Sequence, residues 1–384
     1  MRTRPYFGPF IAAFISAWIS FTANCGPSNS QSKVQADSKP LALFSRLLPV
    51  CRATSQTQDL ASPAEDTLGM TLFAIVRAVE AFVVCACARG CQQEGCLNPV
   101  EKIFSKHWDS MMFAVSSGTI MWAWFYLPGR LPDAYGKWIS SAAQVDSRLI
   151  DALRAARAGK WKYGEHGGDA LRPLQDMCKD YGWPIEWSNP QKTIPLPCEM
   201  VHQGAGQSCH WHAIVRFLHT FRFALAANLP VQLLVKVVMH RCLSLRLIRL
   251  VAQETFRSSS FLAVFVATMY YSICLSRTLV GPRLASYATI SPQRWDSGLS
   301  VAISCVTSGM SILIEEKRKR RELAMFVAPR ALATLIPRPN DPKIWRRERL
   351  AFSLSVATLF SCVRTENGAV RGIFGRVLKS ILSG

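Results

Sequence analysis

The sequence predicts an all-α fold: a multi-pass helical membrane protein of two related helical units with a Cys/His-rich connector between them. Three observations predict it. Hydrophobic residues make up 49% of the 384 residues and charged residues only 18%, against about 25% charged in ordinary soluble domains. The mean hydropathy is positive, +0.14, and apolar stretches of near-membrane length recur along the chain. No alternating apolar and polar run bounded by turn signals argues for a strand.

Charge narrows the class. Lys and Arg number 45 against 25 Asp and Glu, a net +20. A basic chain suits either nucleic acid, whose phosphates it neutralises, or a membrane whose anionic headgroups face basic loops. The apolar stretches favour the membrane. The expected partners are therefore membrane lipids, with organelle membrane proteins as further partners, and no nucleic acid. The thirteen cysteines are an odd number. Several of them (Cys274, Cys305, Cys362) sit inside apolar runs, where a free thiol behaves as a small hydrophobe. This pattern points to a reducing compartment rather than a secreted disulfide framework.

In chain order, Phe7–Ala23 follows Arg2 and Arg4 and reads as a retained first membrane helix rather than a cleaved signal. Residues 26–66, rich in Ser, Gln, Ala and Pro, read as a loop. Further apolar stretches are Met70–Ala88, Met111–Pro128, Leu229–Met239, Ser260–Val280, Leu299–Ile314, Leu323–Ile336 and Leu350–Val363. Spanning takes about 20 residues, so most are short and predict helices that shield one another. Small residues in "AVSSGT", "AISCVTSGMS" and "FLAVFVAT" let such helices approach closely. Between Ser140 and Pro197 the chain turns polar. Asp146–Ala158 predicts a short amphipathic helix stopped by Gly159, and the rest reads as an ordered, Trp-containing loop.

An internal repeat organises these pieces. "FIAAFISAW" (Phe10–Trp18) matches "FLAVFVATM" (Phe261–Met269), and "LFAIVRAVEAF" (Leu72–Phe82) matches "MFVAPRALATL" (Met325–Leu335). "FAVSSGTI" (Phe113–Ile120) matches "FSLSVATL" (Phe352–Leu359), in the same order. The expected domains are 1–140, a first and partly degenerate membrane unit, and 141–197, a polar extramembrane region. Then come 198–256, a Cys/His-rich connector with an amphipathic helix, and 257–384, a second membrane unit.

Arg77 and Arg330 fall at equivalent places in the repeat, inside apolar helices. A charge there needs a partner, water or a helix end from which to snorkel. Glu80, three residues after Arg77, can share its helix face. "EEKRKRR" (Glu315–Arg321) directly follows an apolar helix and reads as the cytosolic end of a span. The run "CACARGCQQEGC" (Cys85–Cys96) lacks paired zinc-ligand spacing and reads as unspecialised cysteines at a membrane edge.

The most chemical stretch is "CEMVHQGAGQSCHWH", Cys198 to His212. Cys198, His202, Cys209 and His212 supply the two thiols and two imidazoles of a tetrahedral zinc site. A Cys198–Cys209 disulfide is an alternative. The third reading is a structural joint, with Ser208 as N-cap of the following helix. Trp211, Ile214, Leu218, Phe221 and Leu225 then line one stripe of that helix, and His212, Arg216 and His219 another. We read the stretch as the joint, with no cofactor expected and zinc the metal it would take. Signature motifs of hydrolases, zinc proteases and nucleotide-binding loops do not occur.

Three blocks resemble the transmembrane protein 135 family, also called peroxisomal membrane protein 52. They are "CEMVHQGAGQSCHWHAIVRFLHTFRFALAANLPVQLLVKVV", similar to its cysteine-rich N-terminal region, "SGMSILIEEKRKRRELAMFVAPRALATL" and "SSGTIMWAWFYLPGRLPDAYGKWI". The resemblance implies a multi-pass protein of peroxisomal or mitochondrial membranes, linked to lipid handling and mitochondrial dynamics. Each repeat unit bears a more distant similarity to the Tim17-type four-helix family. The expected function is thus a non-enzymatic integral membrane protein. The alternative is a membrane-bound, metal-dependent enzyme using Cys198, His202, Cys209 and His212.

Overall fold

The computed structural model describes residues 7–25, 63–90, 99–240, 244–284, 290–336 and 342–365. The side chains of the Cys85–Cys96 run and most of segment 26–66 lie outside them. Every described element is helical, and no strand occurs among the described residues. The longer helices are α1 (Phe7–Cys25), α2 (Pro63–Gly90), α3 (Pro99–Tyr126), α4 (Asp133–Ala143), α5 (Ser147–Arg157) and α6 (Arg172–Tyr181). They continue with α7 (Cys198–His202), α8 (Cys209–His240), α9 (Leu245–Leu275), α10 (Ser300–Gly309), α11 (Lys317–Leu335) and α12 (Pro342–Thr365).

Two compact units divide the chain. One comprises Met1–Lys102 with Ala328–Gly384, the other Ile103–Val327. The polar region 141–197 and the connector 198–256 both lie in the second. All eight apolar stretches are helical. Among the described residues, two helical segments, Leu245–Pro282 and Pro292–Ile314, are long and apolar enough to cross a membrane, and Phe10–Ser20 is a shorter apolar helix.

In the first unit, α12 packs against α1 and α2. Ala78 and Ala81 of α2 form a small core with Leu359, and Cys362 and Val363 pack onto it. Arg77 pairs with Glu80 at 2.9 Å, so the two opposite charges satisfy each other one helical turn apart. Arg330 is half-buried on α11. On α12, the Arg349 guanidinium stands over the Trp18 ring at 3.7 Å, a cation–π contact.

In the second unit, α5 begins where Asp146 accepts a hydrogen bond from the Arg148 backbone N–H at 2.9 Å. It ends before Gly159, whose φ is +71°. Arg154 of α5 donates to the carbonyls of Phe125 and Trp124 at 2.6 and 3.0 Å, closing the C-terminus of α3. The segment after α5 is more regular than a loop. Leu174, Met177 and Cys178, all fully buried, give α6 an apolar face, and Gly182 in the left-handed region ends it.

Helices α8 and α9 form an antiparallel hairpin. Tyr271 meets His210, Arg216 lies over Tyr270 at 4.6 Å, Phe221 meets Phe256, and Lys236 pairs with Glu254 at 3.3 Å. A proline inside a helix usually ends or kinks it, yet α8 runs through Pro230. Packing on both sides of the proline sustains the helix despite its missing N–H. Close approach also joins α3 to α10. A Cβ on Gly309 would stand 2.5 Å from the Ala114 Cα.

Candidate thiol and imidazole centre

The stretch Cys198 to His212 folds back on itself. Helix α7 spans Cys198–His202 and stops because Gln203 adopts a left-handed conformation, φ 52°. Gly204 and Gly206 follow with φ of +82° and +96°, a conformation glycine adopts without the usual steric penalty. Ser208 accepts from the Trp211 N–H at 3.4 Å, and α8 begins. The turn thus returns the chain so that the first residue of α7 and the first of α8 lie side by side.

A third thiol comes from outside the stretch. The sulfurs of Cys198, Cys209 and Cys274 all lie within 4.8 Å of one another, and all three are free thiols. Cys274 is the penultimate residue of α9, brought there by the hairpin. Its Sγ lies 3.5 Å from Nε2 of His202. The other nitrogen of that ring, Nδ1, is 2.7 Å from the Gly206 carbonyl oxygen. A carbonyl only accepts, so Nδ1 carries a proton, and Nε2 is the ring nitrogen that faces Cys274.

His212 sits elsewhere. Its ring stacks on that of His202 at 4.6 Å and meets Tyr270 edge-on at 5.1 Å. It is fully buried, and neither ring nitrogen has a hydrogen-bond partner among the described residues. Of the four residues singled out in the sequence, Cys198, Cys209 and His202 therefore adjoin Cys274, while His212 backs His202.

A buried polar hub holds the rim. Arg277, one turn beyond Cys274, forms an ion pair with Asp296, Nε to Oδ1 at 2.8 Å. It also donates to the Leu196 carbonyl at 2.5 Å. Tyr163 donates to Asp296 at 2.5 Å and accepts from the Leu196 N–H at 2.9 Å. Both backbone groups of Leu196 are thus pinned two residues before Cys198. Burial, then the Asp296 carboxylate, pushes the Tyr163 phenol well up, so it stays a donor. A second hub fixes the turn. Arg216 donates to the Gln144 carbonyl at 2.9 Å and to the Gln203 side chain at 2.5 Å.

The electrostatics favour a thiolate at Cys198. Its thiol is pushed down to about 6, first by the hydrogen bond from Cys274, then by the Arg277 charge, against its own burial. Next to the centre lies a cavity of about 40 Å³ lined by Leu196, Met200, Tyr270, Ile273, Arg277 and Asp296, among others. That is room for a few waters.

Sequence reasoning missed Cys274 as a site residue, and also Arg277, Asp296 and Tyr163. Arg277 carried a usable signal, a charge inside the apolar stretch Ser260–Val280, of the same kind that singled out Arg77 and Arg330. Cys274 carried none, because its place depends on the hairpin.

Comparison with known proteins bears on the same region. No curated protein and no solved structure matches the chain. One family model does, the N-terminal cysteine-rich region of Transmembrane protein 135, over residues 195–337. That span contains Leu196, the three clustered cysteines, His202, Arg277 and Asp296. Residues 195–337 are thus similar to the cysteine-rich region of the transmembrane protein 135 family.

Proposed function

We propose that the protein is a non-enzymatic, multi-pass integral membrane protein of peroxisomes or mitochondria that serves lipid handling. The observation that carries the membrane part is the orientation of its helix faces. On α8, Trp211, Ile214 and Leu218 are exposed while His212, Arg216 and Thr220 are buried. On α10, Ser300, Ser304 and Ser308 are buried and Val306 is 55% exposed. On α12, Ser353 and Ser355 are buried while Leu350 and Leu354 are exposed. A water-soluble helix does the reverse. Apolar faces outward and polar faces inward suit a lipid surround, where polar groups must find partners inside the protein.

The family match and the two apolar segments support the same reading. The basic run after α10 fits a headgroup-facing end. Part of it is structural, since Arg320 donates to the Glu315 and Leu313 carbonyls and Arg321 pairs with Asp109 at 3.2 Å.

The organelle and the lipid role rest on the family resemblance. Alkaline carbonate extraction of the full-length protein from cells, with peroxisomal and mitochondrial markers followed in parallel, tests this. The protein should stay in the membrane pellet and co-fractionate with one of the two markers. Release into the supernatant would overturn the membrane reading, and co-fractionation with neither marker would overturn the organelle.

A further inference from the structure

We propose that Cys198, Cys209, Cys274 and His202 form a closed Cys3His site for zinc that staples the α7–α8 turn to the end of α9.

Geometry carries the proposal. A tetrahedral zinc with Zn–S of about 2.3 Å and Zn–N of about 2.0–2.1 Å holds neighbouring sulfurs about 3.8 Å apart, and a sulfur and a nitrogen about 3.6 Å apart. Cys274 Sγ and His202 Nε2 are already 3.5 Å apart, and the three sulfurs lie within 4.8 Å of one another. Closing the three sulfurs takes movements on the order of 1 Å or less, and the His202 ring, already against Cys274, turns further toward the other two sulfurs.

The imidazole is prepared as well. Metal-bound histidines usually donate their other N–H to a carbonyl or carboxylate, which fixes tautomer and ring orientation. His202 does this toward Gly206, and the positive φ of Gly204 and Gly206 shapes the turn that places that carbonyl. His212 and Tyr270 wall the ring from behind.

The chemistry of the donors selects the metal. Three thiols and one imidazole are a soft set that favours zinc over magnesium or calcium. Binding leaves all three sulfurs as thiolates and releases to solvent whatever protons they still carry. The resulting centre, Zn²⁺ with three thiolates and a neutral imidazole, carries one net negative charge. Arg277 places a guanidinium near the thiols and ties Leu196, hence Cys198, to α9. Four protein ligands leave no open position, so the site is structural rather than catalytic. A Cys198–Cys209 disulfide uses only two of the four groups. It leaves Cys274 and the His202 ring buried against each other.

The full-length protein, purified in detergent under reducing conditions without chelator from zinc-supplemented cells, supplies the test. Elemental analysis should find about one zinc per chain. Cys198→Ser, Cys274→Ser and His202→Ala should each lower occupancy at least about tenfold. Cys305→Ala, at a thiol buried on α10, should keep it, as should His212→Phe, which preserves the stacked ring. Cobalt exchange into the wild type checks the ligands without mutation, because a sulfur-to-cobalt charge-transfer band reports three thiolates. A zinc-free wild type overturns the proposal. So does full zinc retention in Cys274→Ser, a cobalt band of two thiolates, or a Cys198–Cys209 disulfide without metal.

Discussion

His202 Nε2 and the Cys274 sulfur stand 3.5 Å apart across 72 positions of chain. The contact joins the end of a five-residue helix to the end of the 31-residue helix α9. A ligand that binds both groups binds only the folded hairpin, so it stabilises by mass action. Thermal unfolding in detergent should shift upward with added zinc, equivalent to about 2.7 kcal/mol at a hundredfold excess over Kd. A strong chelator should reverse the shift. Cys274→Ser should melt at one temperature whether zinc or chelator is present.

The hub around Leu196 acts on the same site from outside. Tyr163→Phe deletes the hydroxyl that bridges Asp296 and the Leu196 N–H, leaving a buried donor and acceptor short of one partner. The expected loss is about 1–3 kcal/mol of unfolding free energy, with zinc affinity down about tenfold. Arg277→Met strips the partner from the buried Asp296 and should lose about 3–5 kcal/mol. The double variant with Asp296→Asn should recover part of that loss. Denaturant titration of the four proteins checks this, and equal losses in the single and double variants would contradict it.

How far the sequence revealed this arrangement differs by element. Helicity was legible in the apolar stretches, because apolar content and the lack of alternating runs leave no other regular structure there, but not in α6, which falls in the stretch read as a loop. The ends of α5 were legible to within one residue, Asp146–Ala158 against Ser147–Arg157, since an amphipathic run before Gly159 is a local signal. The two stripes of α8 were legible except at His219, which was read into the second stripe but is exposed, Thr220 taking its place on the buried face. Which one faces inward was not, because the usual rule assumes water outside. The centre was half legible. Cys198, His202 and Cys209 share one local turn, whereas Cys274 joins them only through the pairing of α8 with α9. Spacing in the chain carries no trace of that pairing.

The cap of α5 sets a pH dependence. Asp146 accepts from the Arg148 backbone N–H and pairs with its side chain at 2.8 Å, and these bonds hold its carboxyl below the usual range. A group whose folded pKa is depressed contributes stability above its unfolded pKa, about 3.9 for Asp. That contribution fades as pH falls through the folded value. Asp146→Ala should therefore lose about 1 kcal/mol near neutral pH. The gap to wild type should narrow below about pH 4. A gap that widens with acid would refute the assignment.

Gly309 tests whether small residues set the helix spacing. Its missing Cβ is matched by Ala114 of α3, whose Cα would lie 2.5 Å from an added methyl, with the Ser117 Oγ at 3.0 Å. Nearby, a Cβ on Gly118 would meet the Cys305 carbonyl at 3.2 Å. The first contact is to backbone, so no rotamer change relieves it, and α3 must move away from α10. Gly309→Ala should lose about 1–3 kcal/mol, and Gly309→Leu should prevent close packing altogether. Gly129 offers the control, because nothing lies within 4 Å of its added Cβ and Gly129→Ala should unfold like the wild type. Gly309→Leu as stable as wild type would mean that the two helices do not pack through these residues.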